Sequence, residues 1–172
     1  MKPGLRHFAH RFLTAVATVV TFFLAAPPAF AQKAIVVVRH AERLDQSQDS
    51  PLSAEGAARA ERLARALAAL DVKAVYVTQY QRTSLTAAPL LKAANLTAIQ
   101  VHSDATPELV ERMKKEHPEE VVLTVGHSNS VPRILKLLGV TENITLADND
   151  YDNLFIVVPV SSGPPTLLRL KF

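Results

Sequence analysis

Four cationic or potentially cationic side chains stand where apolar runs stop. Arg39 and His40 follow IVVV, Arg82 lies in TQYQRTSLTA shortly after AVYV, and His127 opens HSNSVP after VVLTVG. Two guanidiniums and two imidazoles brought to one place repel one another unless an anion sits among them. The planar fork of arginine matches the oxygens of phosphate, so phosphate is the guest these residue types fit. Taken singly, each has a plainer reading: a histidine at a strand end is often a hydrogen-bonded structural residue, and an arginine at a helix start is usually solvated. Only convergence of the four on one edge gives them a shared meaning.

Other polar residues nearby have two readings each. Glu42 either pairs with an arginine and orients the site or is a solvated loop carboxylate. Ser128 and Asn129 either add a hydroxyl and an amide to a phosphate pocket or, in the case of Ser128, cap the following helix. Asp148, Asp150 and Asp152 in LADNDYDNLF lack the glycine and terminal glutamate of a calcium loop and read as turn residues and solvated charge. No histidine spacing suggests a metal site.

For the four cations to meet, the chain must bring several strand ends to one side. Strands are expected at Ala34–Arg39, Ala74–Val77, Ala98–Val101, Val121–Val125, Leu154–Val158 and Leu167–Leu170. Helices are expected at Ser53–Leu70, Thr83–Ala94, Pro107–Glu116 and Ser128–Leu138. In the first helix Leu63, Leu67 and Leu70 recur at spacings of four and three while Arg59, Glu61, Arg62 and Arg65 fill other faces, with Ser53 as N-cap. Pro107 suits a first helical turn, and Gly139 is a stop signal for the last helix. Strands alternating with helices imply an α/β fold, a three-layer α/β/α sandwich on a mostly parallel central sheet. The nearly continuous apolar runs IVVV and VVLTV fit strands buried on both faces. PVSSGPP joins the last two strands without a helix, which predicts an antiparallel edge hairpin at the C-terminus. In such a sheet ligands collect at the carboxyl ends of the strands, where Arg39, His40, Arg82 and His127 fall. Gly126 allows close backbone approach there, and the helices after Arg82 and near Ser128 point free N–H groups at the same spot.

The 172 residues suffice for one sizeable core, expected over residues 32–172. Residues 1–31 read instead as a cleaved secretory signal peptide. Lys2, Arg6 and Arg11 form a basic head, LTAVATVVTFFLAA is too short to span a bilayer, and Ala29 and Ala31 precede a cleavage point at Gln32. An exported bacterial protein, periplasmic or secreted, is therefore expected, with no membrane association after cleavage. Three of the 19 Lys and Arg residues and none of the 16 Asp and Glu residues precede residue 32, so the mature chain carries 16 of each. That neutrality argues against a nucleic-acid partner. The chain has no cysteine, which excludes disulfides and thiolate chemistry.

VVVRHAE, TQYQRTSLTA and VGHSNSVP, in this order, resemble the histidine phosphatase superfamily, the clan of phosphoglycerate mutases and histidine acid phosphatases. The likeness covers nearly all of residues 32–172. It implies a phosphoglycerate mutase-like fold and a phosphoric monoester hydrolase that needs no cofactor or metal. It implies that His40 is the nucleophile, forming a phosphohistidine that water hydrolyses, while Arg39, Arg82 and His127 hold the phosphoryl oxygens. For attack, one nitrogen of His40 must be unprotonated and the other held by an acceptor that fixes the tautomer. A carboxylate after the third strand would protonate the leaving alcohol, and HSDATPELVER offers Asp104, nearer the strand end, with Glu108 as second choice.

The expected partner is a small phosphorylated substrate. An exported phosphatase leads, and a phosphate-binding module of the same fold without turnover is the alternative. A mutase fits an exported chain this short less well, and a phosphohistidine phosphatase, though compatible with the length, fits an exported protein less well. The sequence specifies neither the natural substrate nor an oligomeric state. The pocket walls are expected from residues 43–51 and from the loops after Val101 and Leu146.

Overall fold

The computed structural model describes residues 33–172. The leader expected over residues 1–31 and the boundary at Gln32 lie outside the described residues. The elements run β1 (Ala34–Arg39), α1 (Ala54–Leu67), β2 (Val72–Val77), α2 (Gln81–Ala94), β3 (Ile99–Gln100), α3 (Thr106–Glu116), β4 (Val121–Gly126), α4 (Ser130–Leu137), β5 (Asn153–Val158) and β6 (Thr166–Lys171). They build a six-stranded sheet in the order β3-β2-β4-β1-β5-β6.

Alternation along each strand divides the core in two, because successive side chains point to opposite faces. Ile35, Val37, Tyr76, Val122 and Phe155 pack under α3 and α4 against Val110, Met113, Val131 and Ile134. Val36, Val38, Val75, Leu123 and Leu154 pack on the other face under α1 and α2, against Leu63, Leu67, Ala87 and Leu90. This is the three-layer sandwich expected, and burial on both faces is why β1 and β4 read as unbroken apolar runs.

The parallel part comprises β1 to β4, and β5 and β6 form the antiparallel hairpin. β5 is also antiparallel to β1, a pairing the sequence did not reveal. The reason is the path after α4: residues 147 and 148 return to the carboxyl edge, where their carbonyls meet Arg39, so β5 enters the sheet from that edge.

Two helix starts differ from expectation. α2 begins at Gln81, two residues early, because the Asp49 carboxylate of the loop after β1 accepts from the Gln81 backbone N–H at 2.8 Å. That cap comes from a distant segment and leaves no local signature. α4 begins at Ser130, two residues late, so Ser128 is not its cap. The Ser130 hydroxyl instead accepts from the His127 backbone N–H at 2.9 Å, turning the chain before the helix starts. Ser53 does cap α1, accepting from Gly56 N–H at 3.1 Å.

Candidate active site

Strand register decides which cations meet. Arg39 lies opposite Gly126 in the parallel β1–β4 ladder, and His40 N–H continues it by donating to the Gly126 carbonyl at 2.9 Å. His40 and His127 therefore leave adjacent strands side by side, with ring centroids 5.2 Å apart. β2 flanks β4 on the other side, and the turn after it leads to Arg82 in the first turn of α2. Arg39, His40, Arg82 and His127 are all buried and line one cavity of about 490 Å³ at the carboxyl edge.

The peptide after β1 is held on every side. The Ala41 N–H donates to Thr86 Oγ1 at 2.9 Å, and Thr86 Oγ1 in turn donates to the Arg82 carbonyl at 2.7 Å. The Ala41 carbonyl accepts from His40 Nδ1 at 2.7 Å. With Nδ1 committed as donor, Nε2 is the ring nitrogen that carries the lone pair. Burial, opposed in part by the Ala41 bond and aided by the charges of His127, Arg82 and Arg39, pushes the His40 pKa down to about 3. Burial and the same two arginines push His127 down to about 4. Both rings are neutral at physiological pH. His127 Nε2 lies 3.1 Å from the Thr78 hydroxyl, which with Thr83 ties the end of β2 to α2.

The two arginines are braced in the same manner. Arg39 donates one terminal nitrogen to the carbonyls of Ala147 and Asp148, at 2.8 and 3.1 Å, and its guanidinium lies 4.1 Å over the Tyr151 ring. Arg82 donates to the Gln48 carbonyl at 2.8 Å and lies 4.3 Å over the Tyr80 ring. Each thus has one corner on loop carbonyl oxygen and one face on an aromatic, and among the described residues neither forms an ion pair with a carboxylate. Among the described residues the Nε of each is buried without an acceptor, a costly state that a phosphoryl oxygen entering the cavity can relieve.

The remaining expectations divide. Ser128 and Asn129 line the cavity, as do Arg43 and residues of the loops after Val101 and Leu146. Asp104 reaches its rim but is exposed and hydrogen-bonded to His102 Nδ1, which holds its carboxyl below the usual range. Glu108 is exposed in the first turn of α3 and does not line the cavity. Glu42 faces away and accepts from Arg59 Nε at 2.7 and 2.9 Å, so it pins α1 to the loop rather than touching the cavity. Burial would raise its pKa, yet the Arg59 bonds bring it below the ordinary value. Asp150 accepts from Ala147 N–H at 2.9 Å and Asp152 pairs with Lys171 at 2.5 Å, which are turn and surface roles. Sequence reasoning gave no role to Tyr80, Tyr151, Arg133 and Thr86. Of these only Thr86 carried a signal, one helical turn after Arg82 in RTSLT.

Residues 35–112 match the family model described as histidine phosphatase superfamily (branch 1). The sequence matches no curated protein. Similar solved structures include the protein histidine phosphatase SixA complexed with tungstate, at 18% identity over 80% of this chain and 96% of that one, TM-score 0.64. Mycobacterial glucosyl-3-phosphoglycerate phosphatase is similar at 13% identity over 81% and 98%, TM-score 0.62. YhfR of Bacillus stearothermophilus is similar at 18% identity over 78% and 95%, TM-score 0.63. At such identities these likenesses speak for the fold.

Proposed function

We propose that this chain, which matches the histidine phosphatase superfamily model over residues 35–112 and shares its fold with histidine phosphatases, hydrolyses small phosphomonoesters through a phosphohistidine on His40. The observation that carries the reading is the His40 Nδ1 bond to the Ala41 carbonyl, which leaves Nε2 unprotonated beside two arginines that, among the described residues, form no ion pair with a carboxylate. In the first step the Nε2 lone pair attacks phosphorus, the ester P–O bond breaks, and the leaving oxygen takes a proton from solvent water, or from Asp104 in its protonated form. In the second, water attacks the phosphohistidine, the P–N bond breaks, and inorganic phosphate leaves with Nε2 restored. Arg39, Arg82 and the neutral His127, with Ser128 at the cavity wall, donate to the phosphoryl oxygens as charge shifts among them.

Asp104 is the proton donor of choice by position, since it is at the cavity and Glu108 is not. Its carboxyl is ionised at neutral pH through the His102 bond, so it suits leaving groups that need little protonation. That same feature supports the second reading, a module that binds phosphate without turnover. The basic, apolar and small-residue order of residues 1–31 supports placing the activity outside the cytoplasm.

Turnover of p-nitrophenyl phosphate, with an acid-labile phosphoryl adduct trapped on the wild-type protein and absent from His40→Ala, is the expected result. Wild-type protein that binds phosphate yet forms no adduct would instead establish the binding module.

A further inference from the structure

One ion pair close to the site takes no part in the chemistry described so far. Arg59, on α1, reaches Glu42, two residues after His40: its Nε donates to both carboxylate oxygens at 2.7 and 2.9 Å, and one terminal nitrogen donates to Oε1 at 2.5 Å. The other terminal nitrogen donates to the Phe172 carbonyl at 3.2 Å, just after β6. The paired side chains are only 13% and 14% exposed, and neither residue lines the cavity. Glu55, one turn earlier on α1, stands 3.7 Å from the same guanidinium but is exposed. Burying a charged pair costs desolvation, and an apolar pair of similar volume would serve the packing of α1 about as well. What the two-pronged arginine–carboxylate contact adds is a fixed direction.

That direction matters because of the peptide it controls. The carbonyl that accepts from His40 Nδ1 belongs to the peptide joining Ala41 to Glu42. Thr86 holds this segment on the Ala41 side. On the Glu42 side α1 and its cap hold it: the Glu42 carbonyl accepts from Ser53 N–H at 3.0 Å, Gly56 packs against the Glu42 backbone, and Arg59 grips the side chain. The Phe172 carbonyl keeps the guanidinium from following the loop. Phe172 N–H in turn donates to the Asp152 carbonyl at 3.1 Å, beside the Tyr151 ring that lies under Arg39. We propose that Arg59 is a positioning residue for the reaction: through Glu42 it fixes the Ala41–Glu42 peptide, and so keeps His40 in the tautomer whose Nε2 is free to attack. Without it the peptide can turn and Nδ1–H loses its acceptor. Part of the population then carries the proton on Nε2, where it blocks attack on phosphorus. This rests on the reading of His40 as nucleophile, and adds what holds that nucleophile ready from outside the cavity.

Heteronuclear NMR of isotope-labelled histidine tells the two ring tautomers apart. Wild-type protein is expected to show His40 protonated on Nδ1, and Arg59→Met a mixture. Formation of the phosphohistidine from p-nitrophenyl phosphate should slow about tenfold in Arg59→Met. Affinity for inorganic phosphate should stay within about twofold, because Arg39, Arg82 and His127 keep their own partners. The double variant E42L/R59M replaces the pair by apolar side chains and leaves no stranded carboxylate. Its stability should return toward wild type while the tautomer mixture and the slow rate persist. If rate and tautomer return with the stability, Arg59 only packs and the inference falls. It falls equally if Arg59→Met keeps the wild-type tautomer and rate. Should both variants fold poorly, Glu42→Gln, which keeps the shape and one acceptor oxygen, is expected to show a smaller change of the same kind, and no change there would overturn the role. A tautomer shift in Arg59→Met when the wild type forms no adduct would sink the hydrolase reading and leave the positioning role standing. An adduct in the wild type with an unmoved tautomer would do the reverse, and wild-type His40 protonated on Nε2 would remove both.

Discussion

Thr86 shows how a residue outside the cavity lining can set the state of the proposed nucleophile. Its hydroxyl receives the Ala41 N–H, and the carbonyl of Ala41 receives His40 Nδ1, so one side chain positions the peptide that selects the tautomer. Thr86→Val keeps the shape and removes the hydroxyl, leaving the buried Ala41 N–H without its acceptor. The expected cost is about 1–3 kcal/mol of stability, together with a loss of kcat for p-nitrophenyl phosphate larger than any change in KM. Thr86→Ser should recover most of both, as denaturant midpoints and steady-state kinetics would report. A valine variant with unchanged kcat would show that Thr86 merely packs.

The loop between β1 and α1 is held to its neighbours by unlike devices. Asp49 caps α2, the Gln48 carbonyl takes Arg82, and Glu42 pairs with Arg59 on α1. Where the loop meets α1 the approach is so close that a Cβ on Gly56 would fall 2.3 Å from the Glu42 carbonyl oxygen. The glycine is required there for space, since its backbone is helical. Gly56→Ala must push α1 away from the residue two positions after His40. A stability loss of about 1–3 kcal/mol is expected. Because the same loop positions Arg82 and Arg43, phosphate affinity should fall with it. Thermal unfolding with and without phosphate would test both, and a variant as stable as wild type would refute the contact.

Across the whole molecule, the carboxyl edge of the sheet keeps two buried histidines neutral, and folding stability must register this. In the unfolded chain each takes a proton near pH 6.5, whereas in the folded chain His40 waits until about 3 and His127 until about 4. Between those limits the unfolded state binds more protons, so stability declines as pH falls through 6.5 and below. Carboxylates with lowered pKa, such as Glu42 and Asp49, add their losses only as pH drops through the carboxylate range, below most of this window. The unfolding free energy obtained from urea titrations should therefore fall between pH 7 and 5, by about a few kcal/mol in all for the two histidines together. Phosphate, which favours cationic neighbours, should reduce the slope. A flat profile from pH 7 to 4.5 would contradict the neutral pair.

The alternation of strands and helices, the apolar runs of β1 and β4, the Ser53 cap and the grouping of Arg39, His40, Arg82 and His127 at strand ends were all legible in the sequence. Each depends on local periodicity or on the general placement of ligands in parallel sheets, which neighbouring residues encode. Register was not legible: that Arg39 lies opposite Gly126, and β5 antiparallel to β1, depends on pairing between segments far apart in the chain. The same holds for the cap from Asp49 and the aromatic beds of Tyr80 and Tyr151. Glu42 stood two residues from His40 and looked like part of the site, yet the fold turned it toward Arg59. Types and spacing determined which side chains were available for phosphate chemistry. The tertiary structure decided which of them share a cavity, because direction and partner are settled by packing between elements that the sequence lists far apart.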